Sequence, residues 1–270
     1  MLGTRSYEML KLLHLAKHNS LTFNPMARQT GIIKVKGTIG GINFYESRGK
    51  ELAREAGGGF NSESNKKHEV IAHWNSEMGA ASTANAAFRK VFRNFIHGYK
   101  DGTLPQRLQS LFMSIKDLDT TSERGKRRVG NGIEHPYAKR LLKDFDFTPK
   151  RPYLLNAQLH FDWASNTLTV TNFDIRGADI PRTADFMGLQ LMSVLFDFHT
   201  LEHVSAQSDF LELPPDFVST NFIMTVPALP DGPGTRLVFL RVGYYQQVSG
   251  VNYLLPGDGK FGLGIVGLAS

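Results

Sequence analysis

Histidine and carboxylate side chains occur at two places where their spacing could support catalysis or metal binding. His160 and Asp162 are two residues apart in an alternating stretch, so they share one face of a strand, as an acid–base pair would. His199, Glu202 and His203 cluster after another such stretch. Neither group has a third ligand at a suitable spacing, and polar positions on the outside of a sheet explain both. We therefore predict a protein that is not an enzyme and has no metal site, cofactor or small-molecule substrate.

Basic residues are the stronger chemical signal. They fall in three short segments and could together bind an anionic partner, either a protein or the phosphates of a nucleic acid. No recognised nucleic-acid-binding motif accompanies them, and the neighbouring phenylalanines at 88, 92 and 95 fit an apolar helix stripe better than a stacking surface. A merely solvated basic surface is the third alternative. The predicted anion-binding residues are Lys34, Lys36, Arg89, Lys90, Arg93, Arg124, Lys126, Arg127 and Arg128.

Charge is divided unevenly along the chain. Through Arg151 there are 26 lysines and arginines against 14 aspartates and glutamates, a net charge of +12. The remaining residues contain 5 against 11, a net charge of −6. Net charge informs association rather than fold. We therefore expect a structural or interaction protein whose basic part docks an anionic partner or the acidic part of another copy, with nucleic-acid binding as the alternative.

Helical periodicity dominates the middle of the chain. Apolar residues recur at steps of three and four, which predicts a helix over His68–Tyr99, a second over residues 104–118 and a short third over residues 122–129. Glycines at 98 and 102 end the first helix, and Thr103 can cap the second. The short connection between the two long helices predicts that they pack antiparallel.

Strand patterns flank this helical region on both sides. Before it, the Gly40-Gly41 pair and Arg48-Gly49-Lys50 separate alternating runs, which predicts a small β-meander with Lys34 and Lys36 on one face. After it, seven short strands alternate with turn sequences, which is typical of a β-sandwich. The predicted strands span residues 157–163, 167–173, 188–198, 222–226, 237–247, 251–255 and 261–266.

The predicted fold class is therefore α+β. A β-meander with antiparallel helices, residues 26–150, precedes an antiparallel Ig-like β-sandwich, residues 151–270. The boundary falls near Thr148–Pro152, where both charge and periodicity change. Residues 1–25 lack a clear pattern, and we predict that they are a non-native or disordered extension and that Met26 is the natural start.

Composition excludes several classes of protein. The chain has 270 residues and no cysteine, which excludes disulfides, thiol nucleophiles and cysteine-bound metals. It contains no apolar run of about 18 residues, the length that a membrane-spanning helix needs. A start at Met26 would leave no export signal, so we expect a cytoplasmic location.

The segment from Met26, MARQTGIIKVKGTIGGINFYESRGKELARE, resembles the opening of a family of uncharacterised Bacteroidota proteins. The resemblance continues through Thr121–Arg127 and into a closing hairpin at Gly243–Gly250, so it covers residues 26 to 270. It excludes residues 1–25, in agreement with a start at Met26. It implies no activity, ligand or catalytic residue, and no residue role is carried over from it.

Overall fold

The computed structural model describes residues 27–28, 35–47, 49–56, 69–151 and 153–269. The chain forms two compact units, residues 1–68 and residues 69–270. The predicted extension over residues 1–25, the predicted start at Met26 and the predicted site residue Lys34 lie outside the described residues.

The first unit contains an antiparallel sheet of β1 (Ala27–Arg28), β2 (Gly37–Ile39), β3 (Ile42–Ser47) and β4 (Lys50–Glu55). The strand order is β1-β4-β3-β2. Gly40 and Gly41 have φ of +55° and +80°, a region that glycine enters without steric cost, so the pair forms the turn between β2 and β3. Ser47 pairs with Lys50 across the next turn. The predicted meander is confirmed.

The second unit begins with four helices, α1 (Glu69–Phe92), α2 (Leu104–Asp117), α3 (Val129–Gly132) and α4 (Pro136–Lys143). The predicted long helices are confirmed, although α1 ends at Phe92 and residues 93–98 form turns. Side-chain hydrogen bonds join Asn85 to Pro105 and Glu77 to Lys116. Because the earlier residue of α1 meets the later residue of α2, the two helices run antiparallel, as predicted.

The predicted third helix over residues 122–129 is wrong. Residues 121–128 form a loop, because the carboxylates of Asp119 and Glu77 accept hydrogen bonds from its backbone N–H groups. Helix α4 was not predicted from the sequence. It begins after His135, whose Nδ1 accepts a hydrogen bond from the Tyr137 N–H, and it has Pro136 in its first turn.

Two antiparallel sheets complete the second unit. The smaller contains β5 (Gln158–Asp162), β6 (Thr167–Thr171) and β10 (Phe222–Thr225), in the order β10-β6-β5. The larger contains β7 (Phe186–Phe196), β8 (His203–Gln207), β9 (Leu211–Leu213), β11 (Thr235–Val248), β12 (Val251–Leu254) and β13 (Phe261–Ala269). Its order is β12-β11-β7-β8, with β13 also paired to β11 and β9 to β7. All seven predicted strands are present, and β8 and β9 are additional.

The six-stranded sheet is buried on both faces. Along β7 and β11 alternate side chains enter two different cores. Phe196 and Phe239 pack with Phe88 and other helix residues, whereas Leu191 and Leu240 pack with the three-stranded sheet. The unit therefore has three layers: residues 69–151, which we call the helix layer, then the six-stranded sheet, then the three-stranded sheet.

This layering changes two of the predictions. The helices share a core with the six-stranded sheet, so the boundary predicted near residues 148–152 falls inside one compact unit, and the two units separate at His68 and Glu69 instead. The mixed α+β class with antiparallel sheets is confirmed. The Ig-like sandwich is not confirmed, because the helix layer covers the face of the six-stranded sheet that a two-sheet sandwich leaves in water. Among the described helices, none combines the length and hydrophobicity needed to cross a bilayer.

Candidate functional site

A cleft of about 570 Å³ lies in the helix layer between α1, α2 and the loop of residues 121–128. Its volume is in the range of small-ligand and side-chain binding sites. One wall is apolar and contains Trp74, Met78 and Met113. The rest of the lining is mainly charged or polar: Glu77, Gln109, Ser110, Lys116, Asp117, Arg124 and Arg127. We call this feature the cleft.

A buried ion pair forms the base of the cleft. Lys116 Nζ lies 2.5 Å from Glu77 Oε2, and both side chains are only 4% exposed. Lys116 also contacts Asp117 Oδ1 at 2.6 Å, and the Gly125 N–H donates to Glu77 Oε1 at 2.6 Å. Burial alone would raise the pKa of Glu77, but the hydrogen bonds from Lys116 and the Gly125 N–H outweigh it and hold that pKa below its ordinary value. The pair ties the loop to both long helices.

A second buried carboxylate shapes the other half of the loop. Asp119 accepts hydrogen bonds from the N–H groups of Thr121, Ser122 and Arg128, each at 3.0 Å. It also accepts from the Thr121 hydroxyl at 2.8 Å and the Asn131 side chain at 3.0 Å. Burial opposes the charge of Asp119, but these donors prevail and lower its pKa strongly. The loop is therefore fixed by its backbone bonds to two carboxylates.

The four cations of this loop differ in their availability. Lys126 pairs with Glu123 at 2.9 Å in solvent, and Arg128 donates to the carbonyls of its own loop. Arg127 Nη1 lies 4.0 Å from Asp117, while its Nε is buried without a hydrogen-bond acceptor in the described structure. Arg124 is exposed, and no carboxylate of the described residues lies within ion-pair distance of it. Arg124 and Arg127 therefore keep unused capacity for an anion.

The remaining predicted cations do not join this group. Arg89 donates to Asn85 at 3.1 Å and belongs to the contact between α1 and α2. Lys90 and Arg93 are exposed. They lie beyond Glu77 by 13 or more residues, which is about 20 Å along a helix at 1.5 Å per residue. Lys36, in the first unit, pairs with Glu46 at 2.6 Å. Within the second unit the predicted cations thus form two separate groups, one in the loop of residues 121–128 and the other near the end of α1.

The histidine groups do not come together. His160 and Asp162 are exposed on the three-stranded sheet, where Asp162 binds the N–H of Ala164 in the next turn. His199 lies against Gly130 in the helix layer, so close that a Cβ there would be 2.7 Å from its Nδ1. His203 is exposed on β8. The groups at 160 and 199 are on opposite sides of the six-stranded sheet. Within the described ranges, no three histidine or acidic side chains are placed to hold a metal ion.

Sequence reasoning missed the residues that build the cleft. Trp74 and Met78 fall at apolar positions of the helical pattern in α1, which predicts burial, but their side chains are 50% and 42% exposed and form the apolar wall. Glu77 and Lys116 were not singled out. One sequence signal pointed to them. Glu77 and Lys116 each fall among the apolar positions of their helices, and a charged side chain at such a position is buried and needs a partner of opposite charge.

Comparison with protein-family models, curated protein sequences and solved structures finds no significant match to this chain. Functional inference therefore rests on the geometry and charge of the second unit.

Proposed function

We propose that the protein is a non-catalytic structural or interaction protein, and that its second unit associates with other copies by docking the basic helix layer onto the acidic sheets of a neighbour. Assembly of this kind needs two unlike surfaces on one molecule. The first unit, which carries 11 lysines and arginines against 5 acidic residues, adds further positive charge.

The separation of charge between layers is the observation that carries this proposal. Residues 69–151 contain 15 lysines and arginines against 9 aspartates and glutamates, a net charge of +6, and residues 152–270 contain 5 against 11, a net charge of −6. Between Arg182 and Arg236 there is no lysine or arginine and there are seven acidic residues. The second unit thus has no net charge as a whole, but one side is positive and the other is negative, which favours docking of unlike surfaces.

Two observations favour a protein partner over nucleic acid. Phe88, Phe92 and Phe95 are at most 1% exposed, so these rings cannot stack on bases. The cations also form two groups rather than one continuous track, and Lys126 already pairs with Glu123. A phosphate backbone is bound best by a continuous row of free cations.

Size-exclusion chromatography of the full chain with light scattering and the 260/280 nm absorbance ratio tests the proposal. We expect a multiple of the 30.1 kDa monomer mass with a protein-like absorbance ratio in about 0.05 M salt, and dissociation in about 0.5 M salt, where charges are screened within a few ångströms. A monomer at every salt concentration would rule the proposal out. A nucleic-acid-like ratio that falls in high salt would establish the alternative.

A charge-reversal pair locates the interaction. Arg124→Glu with Lys126→Glu changes two exposed cations beside the cleft and should abolish association. Arg182→Glu reverses an exposed cation on the sheet side and should leave association intact. Equal loss in both variants would mean that total charge, rather than the helix layer, controls assembly.

A further inference from the structure

A loop on the sheet side of the second unit presents an apolar residue to solvent. Residues 214–220, which we call the acidic loop, connect β9 to β10. Phe217 holds the loop down, because its ring packs against Phe173 at 6.1 Å and Phe222 at 5.9 Å. The adjacent Val218 is 92% exposed, the highest value among the large hydrophobic residues in the described structure. The fold therefore fixes the backbone beneath a protruding valine.

The chemistry of this loop complements that of the cleft. Pro214, Pro215 and Asp216 are exposed, and proline limits the conformations that the loop would lose on binding. Asp216 makes no ion pair or side-chain hydrogen bond with a described residue, and it lies in the stretch that contains no lysine or arginine. The loop thus offers one carboxylate, two prolines and one aliphatic side chain.

The cleft has matching groups on its surface. The half-exposed Trp74, with Met78 and Met113, forms an apolar wall, and aromatic grooves are a common binding surface for proline-containing segments. Arg124 is exposed and has no carboxylate partner among the described residues, and Arg127 is part-exposed and lies only 4.0 Å from its nearest acidic neighbour, Asp117.

We propose that the cleft of one copy binds the acidic loop of a second copy, with Pro215 and Val218 on the apolar wall and the Asp216 carboxylate facing Arg124 and Arg127. This inference rests on the self-association proposed above and assigns its contact. The cleft lies in the helix layer, and the acidic loop lies beyond the six-stranded sheet. Each molecule therefore uses both features at once, and the contact is head-to-tail.

Another exposed apolar segment is a poorer fit. The hairpin between β11 and β12 exposes Val248, Val251 and Tyr253, but residues 246–254 contain no acidic residue. A segment without a carboxylate would leave Arg124 unpaired while removing water from it, which is costly.

Two complementary variants test the contact in the full-length protein. The cleft variant combines Trp74→Ala and Arg124→Glu, and the loop variant combines Asp216→Lys and Val218→Ser. Each alone should lose self-association by about 30-fold or more in Kd, as expected for central interface residues. An equimolar mixture should form a heterodimer of about twice the 30.1 kDa chain mass, because one intact cleft and one intact loop remain.

Controls separate this inference from the broader proposal. Ile223→Ser, at a residue 66% exposed on the three-stranded sheet, should leave assembly unchanged. If the wild-type chain associates and both double variants still do, the assigned contact is wrong while self-association stands. If both variants are monomeric and their mixture stays monomeric, the head-to-tail contact is also overturned. A monomeric wild-type chain removes both proposals.

A charge swap covers the case in which Trp74→Ala impairs folding. Arg124→Glu and Asp216→Lys each change one exposed side chain, so the fold should survive, as circular dichroism would verify. Each single variant should weaken association, and a chain carrying both should recover it, because the ion pair is rebuilt with reversed sign. Failure of the double variant to recover, with both single variants weakened, would contradict a direct contact.

Discussion

Replacing Lys116 by methionine should destabilise the protein by about 3–5 kcal/mol, the usual cost of removing one partner of a buried ion pair. Methionine keeps the unbranched shape of the lysine stem, so the packing of α2 changes little. Glu77, which is 4% exposed, would keep only the Gly125 N–H as a direct donor. The cost therefore arises from an uncompensated buried carboxylate rather than from a cavity.

Urea denaturation followed by far-ultraviolet circular dichroism measures this loss. Lys126→Met is the matched control, because Lys126 pairs with Glu123 at 2.9 Å but the two side chains are 75% and 81% exposed. Exposed pairs of this kind contribute about 0–1 kcal/mol. The two variants remove the same charge from the same part of the molecule, so the difference between them isolates burial. A double variant, Glu77→Gln with Lys116→Met, should recover part of the loss, since the glutamine oxygen still accepts from Gly125.

The pH dependence gives an independent check. In the wild type the pKa of Glu77 is below its ordinary value of 4.5, so its stabilising contribution is present above that pH and is lost as pH falls. Without Lys116 the buried carboxyl should have a raised pKa and become neutral more readily. The destabilisation should therefore be largest near pH 7 and shrink toward pH 4. If Lys116→Met lowered the free energy of unfolding at pH 7 by less than about 1 kcal/mol, as Lys126→Met is expected to do, the Glu77–Lys116 pair would behave like an exposed pair and the reasoning would be refuted.

Two further predictions concern the loop and its helix contacts. Asp119→Ala removes the acceptor of three backbone N–H groups, and each group costs about 1–3 kcal/mol if it is left unsatisfied. The loop should therefore open more often, and trypsin should cleave at Lys126 much faster than in the wild type. An unchanged cleavage rate would show that the loop is held by other contacts. Gly132→Ala should destabilise the protein severely, because the new Cβ would lie 2.0 Å from the Ile115 carbonyl oxygen. Gly79→Ala, where a Cβ would meet no atom within 4 Å, should instead stabilise α1 by about 0.5–1 kcal/mol in a thermal melt. If Gly79→Ala destabilised the protein more than Gly132→Ala, the packing of α3 on α2 would be contradicted.

Local patterns were sufficient to predict most of the elements. The Gly40-Gly41 turn, the two long helices and the seven predicted strands follow from spacing and turn residues that act over a few positions. Helix α4 was not predicted because its eight residues are too few to show a repeating apolar stripe. In the structure Phe147 is fully buried in the core beneath the helices, and the segment that carries it is not a strand.

The layering and the cleft depend on contacts that local patterns do not encode. The predicted helix over residues 122–129 failed because Asp119 and Glu77 bind its backbone N–H groups, and Glu77 is 48 residues away from Gly125 in sequence. The covering of the six-stranded sheet by helices was also missed. It does have a sequence correlate: β7 and the segment of β11 from Leu237 to Tyr245 are hydrophobic at most positions, as burial on both faces requires.

This two-sided burial also confines the ionised side chains to the outer layers of the second unit. Strands β7 and β11 lie between two hydrophobic cores, so most ionised side chains must be placed in the helix layer, on the three-stranded sheet or at the sheet edges. The helices carry the excess of bases and the strands and their loops the excess of acids, so the polarity runs across the layers. A two-fold dimer through the helix faces would bring Arg124 of each copy toward the same basic surface of the other, and a dimer through the acidic loops would oppose like charges again. Stacking in one direction pairs unlike charges at every contact. If the copies associate through these faces, electrostatics therefore favours a head-to-tail arrangement, a ring or a filament, that is promoted by protein concentration and weakened by salt.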